Sequence, residues 1–339
     1  GGADRLRVQR RRCGGRARQR RPRVSWSAQP ERGSAWLART AVFVAQRGGW
    51  HVGRACAVPA TAWFVLTSRQ ARAASRDYLG RALGRPAGWV DVVRHFDSFA
   101  TVVLDRVMLL CGRHEDYRIT VDGLDELLAV VAEGRGCILI GAHLGSFEVL
   151  RTLAQRAPVP VWALMYRRNG RTLTTMLDRL APALRAQVLE IGDTASMIQA
   201  RECVERGEIV GLLADRAPLG HPTVPAAFLG GTAHFPSGPF VLASLLGAPV
   251  FTFRGVRTGT RRYHVSLALF DHRVVLRRAS RAADLGCYVQ RYAAALERAC
   301  RAHPLQWFNF FPFWEHDDAK SAQPAAPPPA DPVIPSQGR

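Results

Sequence analysis

Apolar residues recur along the chain in two rhythms. Over 89–112 the spacing is helical, with Val92, Val93, Phe96, Phe99, Val103, Leu104, Val107 and Leu110 falling on one side. A preceding helix over 68–83 stops at Gly84-Arg85-Pro86. From Tyr117 onward, short apolar runs alternate with helical stretches. Strands are predicted over 118–122, 137–141, 159–165, 187–191, 209–214, 250–256 and 262–270. Helices fit between them over 124–133, 146–156, 172–181, 195–206, 239–246 and 284–302. Short apolar strands joined by helical crossovers predict an α/β fold, a mainly parallel mixed sheet flanked by helices. Few residues around Thr258-Gly259-Thr260 separate the last two strands, which suits a hairpin.

Residues 34–67 are rich in Trp, Phe and Val but are interrupted by Arg39, Arg47 and Arg54. The uncharged stretch 55–68 is too short to cross a bilayer of about 30 Å as a helix. Tryptophans beside arginines suit a helix lying in the membrane interface. An amphipathic helix packed on the domain is the alternative, and both readings stay open. The chain is thus expected to divide into a disordered Arg-rich segment (1–33), an N-terminal helical, membrane-associated region (34–112), an α/β domain (113–316) and a disordered Pro-rich tail (317–339).

Charge adds a positive field. The 339 residues carry 47 basic and 27 acidic side chains, a formal net charge of +20. All the basic residues except Lys320 are arginine, a bias that reflects nucleotide composition as much as function. The field favours anionic partners: nucleic acid, phospholipid headgroups or an acidic carrier protein. Much of the excess sits in 1–33, and the core shows no nucleic-acid recognition motif, so no specific nucleic-acid partner is expected. Seven scattered cysteines without a CxxC pair suggest neither a disulfide framework nor a zinc site.

The sequence lacks a GxxxxGK[ST] loop, a GxGxxG after a strand, a GxSxG elbow and HExxH. What it does contain is Gly141-Ala142-His143-Leu144-Gly145-Ser146-Phe147-Glu148 at the end of an apolar strand. Open α/β sheets place their sites at that end. Within one continuous helix, five steps of about 100° would leave His143 and Glu148 on different faces. A turn at Leu144-Gly145 lets both face one crevice, where Glu148 can accept a hydrogen bond from the imidazole and leave the other nitrogen as a base. The bland alternative is a core-lining histidine and a glutamate favoured by the helix dipole.

This stretch closely resembles the signature of the late acyltransferases of lipid A biosynthesis, the lauroyl/myristoyl transferase family. That family lies within the glycerolipid-type acyltransferases with an H-x4-D/E motif. Further blocks agree in order: Met165-Tyr166-Arg167-Arg168-Asn169, Leu212-Leu213-Ala214-Asp215-Arg216, Phe228-Leu229-Gly230-Gly231, Phe235-Pro236-Ser237-Gly238-Pro239 and Pro304-Leu305-Gln306-Trp307. Asn309-Phe310-Phe311-Pro312 departs from the basic ending common in lipid A members.

The resemblance implies an EC 2.3.1 acyltransferase with a glycerolipid-acyltransferase-like fold. It implies transfer of a fatty acyl chain from acyl carrier protein, or acyl-CoA, to a hydroxyl of a lipid A precursor or related glycolipid. A membrane pigment lipid is the alternative acceptor. The donor is a co-substrate; no cofactor or metal is required. The place of action would be the cytoplasmic face of the bacterial inner membrane, against its phospholipid surface. His143 and Glu148 would be catalytic. Arg167 and Arg168 would hold an acceptor phosphate or carboxylate or offset the oxyanion. Asp215 would pair with one of those arginines, and Ser237 and Gly238 would offer backbone N–H groups at a helix start.

Overall fold

Seven apolar runs become the strands of one sheet, and helices cover both of its faces. The computed structural model describes residues 35–154, 159–165, 187–191, 194–218 and 220–314. The segments 1–33 and 317–339, the helix expected over 172–181, and Arg167 and Arg168 lie outside the described residues.

In chain order the elements begin with α1 (Ala35–Thr67), α2 (Arg69–Leu83) and α3 (Trp89–Leu110). Then come β1 (Arg118–Asp122), α4 (Leu124–Ala132), β2 (Cys137–Gly141), α5 (Phe147–Ala154), β3 (Val161–Met165) and β4 (Val188–Glu190). Next are α6 (Thr194–Glu205), β5 (Ile209–Leu213), β6 (Thr223–Phe228), β7 (Gly231–Pro236) and α7 (Gly238–Leu246). The long strands β8 (Val250–Gly259) and β9 (Arg262–Asp271) and the helix α8 (Arg281–Ala302) complete the set.

The sheet order is β1-β9-β8-β2-β5-β3-β4. Every neighbouring pair is parallel except β8 and β9, which form the expected antiparallel hairpin. β2 is buried along its whole length, as a central parallel strand covered on both faces must be. One face packs Ile138, Ile140 and Val210 against α2, α3 and α8; the other packs Leu139, Phe251 and Phe253 against α3, α4 and α5.

The β6–β7 hairpin is not legible in the sequence pattern, because Pro225, Gly230-Gly231 and His234 break the apolar alternation. Tertiary contacts hold it. Gln290 of α8 bonds both backbone groups of Ala227, and Glu297 accepts from the Leu229 N–H.

The N-terminal helix docks on α3. It breaks direction at Gly49 (φ 72°). Arg54 pairs with Asp97 at 2.6 Å, and the Trp50 indole donates to Asp105 at 2.7 Å. Asp105 is fully buried and also accepts from the Tyr117 and Tyr263 hydroxyls, at 2.8 and 2.7 Å. Burial pushes its carboxyl pKa up against those donors. One carboxylate thereby ties α1, α3 and β9 together. The outer surface stays apolar: Trp63 is 70% and Leu66 66% exposed, beside Val58, Phe64, Trp89 and Val90. Among the described residues no helix is long and apolar enough to cross a membrane.

Candidate active site

Strand register builds the site. β2 and β5 are parallel neighbours, with Gly141 opposite Leu213. Two residues beyond each strand end stand His143 and Asp215, so the ladder brings them side by side at the carboxyl edge of the sheet. The Ala214 N–H still donates to the Gly141 carbonyl at 2.9 Å, which carries the pairing past the last strand residue.

The His143 Nδ1–H donates to Asp215 Oδ1 at 2.8 Å, and the His143 backbone N–H donates to Oδ2 at 3.1 Å. Asp215 is fully buried. Its second oxygen also accepts the Trp307 indole N–H at 3.0 Å. Burial by itself would raise the Asp215 pKa. The interaction with His143, including its Nδ1–H hydrogen bond, together with the Arg216 charge and the Trp307 N–H, outweighs it and holds the carboxyl well below the ordinary range. His143 is pushed below its usual value, first by desolvation and then by the Arg216 charge, against the pull of Asp215. Its side chain is still 36% exposed. With Nδ1–H committed to Asp215, Nε2 carries the lone pair and has no hydrogen-bond partner among the described residues.

Glu148 lies in the first turn of α5, as expected, but its carboxylate is held by Arg106 of α3 at 2.6 Å, with the glutamate side chain 1% exposed. The orienting bond expected from Glu148 to the imidazole is therefore made by Asp215. The reason is topological: the β2–β5 register delivers Asp215 to Nδ1, while α5 turns Glu148 toward α3. The expected pairing of Asp215 with Arg167 or Arg168 falls outside the described residues; among the described residues this carboxylate meets His143, Trp307 and Arg216. Ser237 is buried, with its hydroxyl donating to the Pro222 carbonyl at 3.2 Å, and Gly238 is exposed beside it. Among the described contacts, neither reaches His143 or Asp215.

The segment after α8 straps this loop in place. Gly145 N–H donates to the Gln306 carbonyl (2.8 Å), and Phe308 N–H donates to the His143 carbonyl (3.1 Å). Gln306 in turn exchanges two side-chain bonds with the Arg257 backbone of β8. Behind Trp307, buried His95 bonds the Trp307 carbonyl through Nε2 (3.0 Å) and Ser75 through Nδ1 (2.8 Å). Desolvation lowers the His95 pKa to about 4, so it stays neutral. Arg216 and Trp307 stand in blocks that carry the resemblance, but neither their contacts nor any role of His95 is legible in the sequence.

Gly145 makes the turn possible. Its φ is +71°, and a Cβ there would collide with the Gly255 carbonyl oxygen of β8. Gly145→Ala is expected to lower the melting temperature by about 5 °C or more, since left-handed strain by itself costs about 1–3 kcal/mol. Thermal unfolding followed by circular dichroism measures this, and an unchanged transition would contradict the reading of the turn.

A small crevice borders the loop at Ala142 and Leu144, with Ile140, Phe253, Leu296 and the polar Arg254 also in its lining. Among the described residues, no cluster of three or more His, Cys, Asp or Glu side chains suits a metal ion.

A histidine oriented by a buried aspartate at the carboxyl edge of a mainly parallel sheet, with its second nitrogen open, is equipped for proton abstraction from a bound hydroxyl. The chain belongs to the bacterial lipid A biosynthesis acyltransferase family, which it matches over residues 30–316. It is thus an acyltransferase of the lipid A biosynthesis type. No curated protein matches it.

Proposed function

We propose that the protein moves a fatty acyl chain from acyl carrier protein, or acyl-CoA, to a hydroxyl of a lipid A precursor or related glycolipid, with His143 as general base. The observation that carries this reading is the His143–Asp215 bond, which fixes the proton on Nδ1 and leaves Nε2 to take the acceptor proton. As the hydroxyl oxygen bonds to the thioester carbonyl carbon, its proton passes to Nε2; the tetrahedral intermediate then collapses with cleavage of the C–S bond, and the imidazolium returns the proton to the departing thiolate. Glu148 serves the site through Arg106, whose charge acts on the imidazole. Arg167 and Arg168 remain the proposed contacts to an acceptor anion or the oxyanion, on the strength of the family resemblance. Mass spectrometry of total lipid from cells with and without the gene tests the reading. A difference of one acyl chain on a glycolipid is expected; an unchanged lipid profile counts against it.

The place of action proposed is the cytoplasmic face of the inner membrane, reached without crossing it. Exposed Trp63, Phe64, Leu66 and Trp89 support this, because a patch of this kind on a monomer marks an interaction surface. The Trp63→Ser, Leu66→Ser double variant should lose at least about tenfold in partitioning to anionic vesicles, since each such side chain contributes about 1.5–3 kcal/mol on burial. Vesicle co-sedimentation equal to wild type would remove the α1 face from the membrane contact.

A further inference from the structure

Arg216 follows Asp215 directly, and none of the roles above uses it beyond its charge. Its side chain is 13% exposed. One terminal nitrogen donates to the Phe308 carbonyl at 2.6 Å, and the guanidinium lies over the Phe311 ring at 5.3 Å. Its Nε is buried without a hydrogen bond and sits 3.9 Å from Asp215 Oδ2. These contacts close a ring. His143 binds Asp215, Asp215 faces Arg216, Arg216 holds the Phe308 carbonyl, and the Phe308 N–H returns to the His143 carbonyl.

We propose that Arg216 is a positioning residue, clamping the 306–311 strap onto the His143–Asp215 pair and setting the electrostatic surroundings of the imidazole. The proposal rests on the general-base reading of His143.

Two consequences follow from the ring. First, Phe308 is held through both of its backbone groups, its N–H on the His143 carbonyl and its carbonyl on Arg216, so releasing the carbonyl loosens the bond that holds the His143 backbone. The Trp307 indole on Asp215 loosens with it. Second, a permanent cation behind the aspartate opposes a second cation on the ring, which agrees with the lowered pKa of His143. Among the described residues, the other charged groups facing the ring are Asp215 itself and Arg106 of α3, the latter paired with Glu148 of α5. Tyr292 of α8 reaches the Gly141 carbonyl, Gly255 of β8 meets the loop without a side chain, and residues 306–311 carry no ionisable group.

Arg216→Gln and Arg216→Lys separate the two consequences. The full chain, labelled with 15N-histidine, is titrated by NMR, with His143→Gln assigning the resonance. Removing the charge in Arg216→Gln should raise the His143 titration midpoint, whereas Arg216→Lys should leave it near wild type. Both should lower kcat by about 10- to 10²-fold, the scale of a small misplacement of a catalytic group, with KM for the acyl donor unchanged. A His143 midpoint in Arg216→Gln equal to wild type overturns the electrostatic role. Wild-type kcat in folded Arg216→Lys overturns the clamp, even if the glutamine variant fails to fold. The titration needs no substrate, so it stands or falls separately from the acyl-transfer reading.

Discussion

His143→Ala is expected to cut acyl transfer by about 10²–10⁴-fold, the contribution of a positioned general base. The fold should survive. The loop is held by backbone bonds that alanine keeps: His143 N–H to Asp215, and the His143 carbonyl to the Phe308 N–H. What disappears is Nε2, the open nitrogen opposite the Asp215 bond. The loss should appear in kcat with little change in vesicle binding, because the exposed Trp63 and Leu66 side chains of α1 are untouched by the substitution. Purified variant and wild type are compared for acyl transfer, with circular dichroism as the folding control. A folded His143→Ala protein retaining more than about a tenth of wild-type turnover falls outside that range and removes His143 as the base.

Asp215→Asn is expected to be nearly as damaging, for a reason that can be traced atom by atom. Asp215 Oδ2 receives two N–H donors, from the His143 backbone and the Trp307 indole. An asparagine must turn its single oxygen toward those two donors. Its amide NH2 then faces His143 Nδ1, which must become an acceptor. The imidazole proton moves to Nε2, the nitrogen that should take the acceptor proton, and the base is lost. A wrong tautomer of this kind costs up to about 10⁴-fold in kcat in a serine-protease triad. Stability should also fall in a pH-dependent way. The wild-type carboxyl is held below its unfolded value, so its contribution is present above the unfolded carboxylate pKa and is lost as pH falls through the folded one. Asp215→Asn should lack that contribution, so its stability advantage over acid should shrink relative to wild type. Pre-steady-state transfer assays and denaturant titrations at neutral and acidic pH measure both effects. Wild-type turnover in the asparagine variant would show that Asp215 does not set the tautomer.

Much of the fold was legible in residue patterns. The predicted strands over 118–122 and 137–141 match β1 and β2, and the β8–β9 hairpin stands where a short polar turn joined two apolar runs. These depend on local alternation and burial, which the chain states residue by residue. The β6–β7 hairpin was invisible for the converse reason: its apolar pattern is broken, and α8 supplies the partners.

The site divides in the same way. The chain alone placed His143 at a strand end with a small-residue turn after it and offered Glu148; Asp215 entered with the family resemblance. Which carboxylate meets the imidazole depends on which strands are neighbours, and nothing in a linear pattern says that β5 lies beside β2. Once they are paired with Gly141 opposite Leu213, matching runs of two residues carry His143 and Asp215 to the same spot. Glu148, five positions away in sequence, is carried to Arg106 instead by the direction of α5. Trp307, more than 160 residues from His143 along the chain, joins them only because α8 returns the strap across the sheet edge. Sequence proximity determined the candidates; strand order and helix direction, set by burial of both sheet faces, decided the contacts.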